Sequence, residues 1–202
     1  EEQKQVTDIF KTDFCTGERN TYLLHGITGS GKTLVFINMI KYVISNGLQA
    51  IVLIPEISLT YQTVLRMVEY FGDRVAIINS KLSKNEKFYQ FDRIKKDDAD
   101  VIIGPRSAIF APVKRLGLIV IDEEHDSAYK NESVPTFNIR DVAGKLAKIA
   151  GASLILASAT PTPETYNRAI NGEIKLLELK KRAKNTSLPK VSIVDMRDEL
   201  KR

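Results

Sequence analysis

The apolar run Tyr22-Leu23-Leu24 is followed closely by Gly26-Ile27-Thr28-Gly29-Ser30-Gly31-Lys32-Thr33, and then by an amphipathic stretch from Leu34 to Ile44. The middle segment reads G-x-x-x-x-G-K-[ST], and its setting, strand before and helix after, is that of a phosphate-binding P-loop. No other feature narrows the fold as far, because such a loop needs a buried strand that hands over directly to a helix N-terminus. Glycines let the backbone turn its N–H groups toward phosphate oxygens. Lys32 can reach the β- and γ-phosphates, and the Thr33 hydroxyl can hold Mg²⁺. Gly26, Thr28, Gly29, Ser30, Gly31, Lys32 and Thr33 are the expected nucleotide-binding residues.

Short β-branched runs recur at Ala50–Ile54, Val75–Ile78, Val101–Ile103, Leu118–Ile121 and Ser153–Ala157. Helical patterns separate them: Leu34/Ile37/Ile40/Ile44, Leu59/Val64/Leu65/Val68, and Ile139–Ala150 stopped by Gly151. Buried runs spaced by helices predict an α/β fold with a parallel sheet and helices on both of its faces. Asn46-Gly47 suits a left-handed helix end, and Ser83 with Glu86 makes a capping box for a helix to about Lys96. Residues 1–17 read as a leading helix, and Tyr129–Asn138 as an irregular loop of the functional kind. Residues 1–184 are expected to form the compact unit, with 185–202 a polar connector containing one extended segment, Val191–Val194, after Pro189. The chain starts without Met and ends without a closing turn signal, which reads as a piece of something longer.

With 202 residues, 43% of them hydrophobic, the chain can bury one sizeable core. There is no run of about 18 apolar residues and no charged-then-apolar leader, so a soluble protein without a membrane partner is expected. Cys15 is the single cysteine and His25 and His125 the two histidines, too few for an intrachain disulfide or a protein-built zinc site. A net charge of +5 suits a polyanionic partner, although its most concentrated cluster, Lys180-Lys181-Arg182 with Lys184, fits a solvated strand end better than a DNA contact.

Leu118-Ile119-Val120-Ile121-Asp122-Glu123-Glu124-His125 is an apolar strand ending in acids. Carboxylates at the C-terminal edge of a parallel sheet face the ligand crevice. Asp122 is placed to hold Mg²⁺ through its water shell, and Glu123 to orient and deprotonate a water for attack on the γ-phosphate. Lys32, Asp122 and Glu123 are thus the expected catalytic set, with Thr33 and Asp122 toward the metal. His125 is read first as a coupling residue that touches a later motif, with a surface histidine as the main alternative and a metal ligand, for which no Cys or second His stands at ligand spacing, as the remaining one.

Taken together, the P-loop, Asp122-Glu123-Glu124-His125 and Ser158-Ala159-Thr160 resemble the first RecA-like lobe of a superfamily 2 helicase. The segments Leu53-Ile54-Pro55-Glu56-Ile57-Ser58-Leu59-Thr60, Ile103 to Pro112, Leu116 to Asp126 and Tyr129-Lys130 are similar to those of the PriA family of replication-restart helicases. That resemblance implies a RecA-like P-loop NTPase lobe and an ATP-dependent 3′→5′ DNA helicase that uses ATP and Mg²⁺. It also implies Gln3 as the adenine-reading glutamine, and His125, Ser158 and Thr160 as a relay between DNA and hydrolysis. Pro55, Glu56, Arg106 and Ser107 match backbone-tracking motifs for single-stranded DNA. Tyr129, Lys130, Phe137 and Arg140 lie in the family's aromatic-rich loop, where exposed rings stack on bases. The implied partners are single-stranded or forked DNA, the primosome and the proteins that load a replicative helicase, in the bacterial cytoplasm at the nucleoid. The second lobe, its arginine finger, the amino-terminal DNA-binding domains and the zinc-binding cysteines of that family have no counterpart in these 202 residues. Two other readings compete: another superfamily 2 nucleic-acid translocase or RNA helicase, and a nucleotide-gated DNA-binding module without turnover.

Overall fold

The computed structural model describes residues 1–183. The expected connector, with Val191–Val194 and Pro189, and Lys184 of the basic cluster lie outside the described residues. Nine strands and six helices run α1 (Glu2–Cys15), β1 (Thr21–Gly26), α2 (Lys32–Ser45), β2 (Gln49–Leu53), α3 (Tyr61–Phe71), β3 (Val75–Ile77), α4 (Lys84–Lys95) and β4 (Val101–Gly104). They continue as β5 (Leu116–Asp122), β6 (Lys130–Asn131), β7 (Phe137–Asn138), α5 (Ile139–Ala150), β8 (Ser153–Ser158), α6 (Pro163–Ile170) and β9 (Lys175–Leu179).

Seven strands form one sheet in the order β3-β4-β2-β5-β8-β1-β9, and every pairing in it is parallel. Alternate residues of each strand feed two cores. Tyr22, Leu24, Val52, Val120 and Ile155 face α1, α2 and α3 through Phe10, Phe36, Ile40 and Met67, while Leu23, Ile51, Ile119 and Leu156 face α4, α5 and α6 through Ile94, Ala143 and Ala169. Helices therefore cover both faces, as the run-and-helix pattern predicts. The three central strands are apolar on both sides because both faces are dry.

Where the apolar spacing misled, packing explains it. α2 is sandwiched between the sheet and α1, so its buried arc is wide and takes in Val35, Phe36 and Met39, whereas Leu34 at its first turn is exposed. α3 buries only Met67 fully and leaves Leu65 and Val68 exposed. The short α6 and the edge strand β9 carry too few apolar residues to register as periodic runs. The helix ends follow the expected chemistry. Ser83 and Glu86 form the capping box, and Gly151 ends α5 at φ 63°.

Candidate functional site

β1 ends at Gly26 and α2 starts at Lys32, so the P-loop spans the C-terminal edge of the sheet beside β8 and β9. Its glycines are sterically required. A Cβ on Gly26 would stand 2.6 Å from Ser30 Oγ and 2.9 Å from Leu179 Cβ, while Gly29 and Gly31 have φ of 81° and 89°. Gly31 caps α2 without a side-chain bond, leaving the first N–H groups of that helix free for an anion. Lys32 is 8% exposed and donates from Nζ to the Gly26 carbonyl oxygen at 2.8 Å. Ser30 Oγ is buried with no hydrogen-bond partner among the described residues. A loop with open backbone donors, an orphaned hydroxyl and a lysine folded back on its own turn fits a phosphate chain.

Two further segments clasp this loop from outside. Gln3, on the first turn of α1, donates from Nε2 to Ser30 O at 2.7 Å. After β9, the Ala183 N–H donates to Gly29 O at 2.9 Å, and Glu2 accepts the N–H groups of Lys180 and Lys181. Lys180 and Lys181 of the basic cluster are thus tied to α1 by their backbone, directly after β9.

Across the cleft stand the acids of β5. Thr28, Gly29, Gly31, Lys32, Thr33, Asp122 and Glu123 line one cavity of about 500 Å³. The Glu123 N–H donates to Asp122 Oδ1 at 3.1 Å, and Glu123 itself sits at φ 49°, the left-handed region that non-glycine residues avoid. Burial, and then the neighbouring Glu123 carboxylate, push the Asp122 carboxyl up to about 6, and Lys32 pulls the other way. Among the described residues no three His, Cys, Asp or Glu side chains group as a metal site. A Mg²⁺ at Thr33 and Asp122 would share its shell with phosphate oxygens and water, as that ion prefers.

The relay residues meet. His125 Nδ1 lies 2.8 Å from Ser158 Oγ and 3.7 Å from Glu123 Oε2, and the Thr160 N–H donates to Ser158 Oγ at 3.0 Å. His125 is therefore tied to the third motif rather than a free surface side chain.

The residues expected to face DNA separate into two groups. Glu56, Ser107 and Lys130 are exposed, Glu56 accepting a hydrogen bond from the Ser80 hydroxyl. Pro55 is buried and offers DNA no surface. Tyr129 is 1% exposed and its hydroxyl donates toward Leu53 O at 3.0 Å and Asp122 O at 2.7 Å, so it props the loop under the sheet edge and leaves no ring face for a base. An aromatic with two strand-end carbonyls in reach gains more from burial than from exposure. Arg106 is half-buried and donates to the carbonyls of Ala128 and Lys130, bracing the aromatic-rich loop. Phe137 is half-buried and meets Phe110 edge-on at 6.1 Å, and Phe110 is 61% exposed. That pair presents an exposed aromatic edge beside the loop, and Phe110 was not singled out in the sequence because it follows a different strand.

Sequence reasoning also missed Glu124. It is fully buried and accepts from Arg140 Nη1 at 2.9 Å, the Thr162 N–H at 2.7 Å and Thr165 Oγ1 at 3.2 Å. Arg140 also donates to Thr162 Oγ1, so its guanidinium is held inside this network. The loop between is less irregular than its sequence. A 3₁₀ turn at Ser127–Tyr129 leads into the antiparallel ribbon of β6 and β7, and Asn138 caps α5 by accepting the Arg140 N–H.

Residues 2–169 match the model of the family described as DEAD/DEAH box helicase. The chain is 44% identical over 201 residues to the replication restart protein PriA of Bacillus subtilis, covering 100% of this chain and 25% of that protein. It is 42% identical over 204 residues to the protein of the same name from Chlamydia muridarum, again over 100% of this chain and 27% of that one. The chain thus spans about a quarter of the length of the curated relatives it matches. Among solved structures, RecG bound to a three-way DNA junction superimposes with a TM-score of 0.69 at 26% identity, over 91% of this chain and 24% of that one. The Hef helicase domain of Pyrococcus furiosus gives 0.61 at 20% identity over 88% and 38%, a likeness of fold.

Proposed function

Because the chain belongs to the DEAD/DEAH box helicase family, we propose that it is the ATP-binding lobe of a DNA helicase that acts in replication restart. The observation that carries this is the facing of the P-loop and the Asp122-Glu123 pair across one cleft, in a chain 44% identical to a replication restart protein. RecA-like lobes of this kind bind a nucleoside triphosphate with its phosphates on the loop.

In this reading the α2 N-terminus, the P-loop N–H groups and Lys32 hold the phosphates, with Lys32 exchanging its Gly26 carbonyl for phosphate oxygens. Thr33 and Asp122 would hold Mg²⁺, which supplies Lewis-acid neutralisation of the β- and γ-oxygens. Glu123, which lines the cleft, orients the attacking water and takes its proton. Gln3, which donates to Ser30 O, is assigned in this reading the role of adenine reader while it steadies the loop. His125, between Glu123 and Ser158, ties the position of the base to Thr160. DNA contacts fall to the loops at the same sheet edge, through Ser107, Lys130, Glu56 and the Phe110–Phe137 pair, with Arg106 and Arg140 holding those loops in place.

The test is ATPase activity of the complete protein with and without forked DNA, beside Lys32→Ala. We expect stimulation by the fork and its loss in the variant. Full DNA-stimulated activity in Lys32→Ala would overturn the mechanism. Stimulation by RNA alone would instead place the protein among RNA helicases.

A further inference from the structure

α3 contributes to the wall of the proposed nucleotide cleft, where Arg66 and Tyr70 line it together with Thr33, Asp122 and Glu123. Arg66 makes no hydrogen bond or ion pair among the described residues, although Glu69 follows three positions on. Arg74, Arg93, Arg106, Arg115 and Arg140 by contrast all bind carboxylates or carbonyls. A guanidinium with five donors is seldom left idle beside two carboxylates.

Charge gives it a purpose. Without Arg66 the lining carries Asp122 and Glu123 against Lys32 alone, so it is net negative toward a ligand that is itself a polyanion. Arg66 brings the lining to neutrality. One turn along, Lys41 Nζ lies 4.3 Å from the Tyr70 ring centroid, which adds a second cation behind the same wall.

Resting on the ATP-binding reading above, we propose that Arg66 is a phosphate-binding residue of this lobe that reaches the terminal phosphate from α3. It thereby makes the site favour a triphosphate over a diphosphate before any other part of the protein closes on it. The position fits because Arg66 lines the same cavity as Lys32, Thr33 and the two acids. Arginine suits the task, since its planar fork binds phosphate oxygens in pairs.

The test is equilibrium binding of mant-ATPγS and mant-ADP, read by fluorescence, to the complete protein and its Arg66→Ala, Arg66→Lys and Lys32→Ala variants. Arg66→Ala should weaken mant-ATPγS by about tenfold to a hundredfold, the worth of one charge-assisted hydrogen bond, while mant-ADP moves less than about threefold. Arg66→Lys should recover part of the loss, because charge returns without the fork. Melting temperatures of both variants should match the parent, since the residue is exposed and makes no hydrogen bond or ion pair among the described residues. If Arg66→Ala binds both nucleotides as the parent does, or weakens both equally, while Lys32→Ala loses them, the role of Arg66 is refuted and the P-loop reading stands. If Lys32→Ala binds as the parent does, the ATP-site reading itself falls.

Discussion

Burial and the adjoining Glu123 push the Asp122 carboxyl up to about 6 from the 3.8 of an unperturbed aspartate, so the folded chain holds this charge at neutral pH against its own preference. Between those two values the folded state binds the proton more tightly than the unfolded one, and stability falls as pH rises through that window. Above about pH 6 the penalty is complete, and below about pH 4 it is absent. Asp122→Asn, whose amide oxygen can still accept the Glu123 N–H, should therefore stabilise the protein at pH 8 in the presence of a chelator. The gain should be about 1 to 2 kcal/mol, discounted for the open cleft, and should vanish near pH 4. Thermal melting at the two pH values measures it, and an equal effect at both would show that desolvation of this carboxylate is not what strains the site. Glu123 adds to the same picture through its left-handed backbone. Neither the strained φ nor the raised carboxyl is legible in the sequence, which shows only that two acids end a strand.

At the scale of elements, the Glu124 network pins three pieces of chain: the end of β5, the start of α5, and the turn between β8 and α6. Removing the carboxylate leaves Arg140 and the Thr162 N–H without their buried partner. Glu124→Ala should cost about 3 to 5 kcal/mol in urea unfolding. Glu124→Ala with Arg140→Ala together should cost clearly less than the sum of the two singles. Strict additivity would mean the ion pair contributes nothing of its own. Of the elements that carry the network, β5, β8 and α5 were legible and α6 was not. Five strands beyond the first, both caps and the two-faced helical cover follow from periodicity and turn chemistry. Glu124 was not, because an acid read among acids gives no sign that the chain behind it turns inward. The aromatic-rich loop divides along the same line. Its place was legible, but which ring faces out depends on Leu53 O and Asp122 O standing within reach of Tyr129. Phe110→Ala and Phe137→Ala should weaken single-stranded DNA binding by about 1 to 3 kcal/mol, the worth of a lost base stack, whereas Tyr129→Phe should leave affinity nearly intact and lower the melting temperature instead. DNA affinity lost only in Tyr129→Phe would restore the tyrosine to the binding surface.

For the molecule as a whole, the decisive point is how exposed, among the described residues, the cleft is that the proposed function fills with ATP. The side chains of Glu123 and His125 are 40% and 39% exposed, so in the proposed mechanism the proposed base and its His125 partner sit in contact with bulk solvent. Catalysis of phosphoryl transfer depends on preorganised charge in a site from which water is excluded, and a cation added from outside contributes on the order of 10³ to 10⁵ in rate. The fold of this lobe supplies the loop, the acids and the relay, and the curated relatives are about four times its length. The 202-residue chain alone should therefore bind mant-ATPγS yet hydrolyse ATP far more slowly than the complete protein, and should unwind nothing. Single-turnover hydrolysis of radiolabelled ATP by the isolated chain, beside the complete protein on the same forked DNA, measures the difference. A rate within about tenfold of the complete protein would mean that this lobe already closes its own site, and the outside cation would then be superfluous. A large deficit with retained nucleotide binding would locate the missing charge outside these residues, where closure of the cleft over Glu123 and His125 would also expel the solvent they now meet.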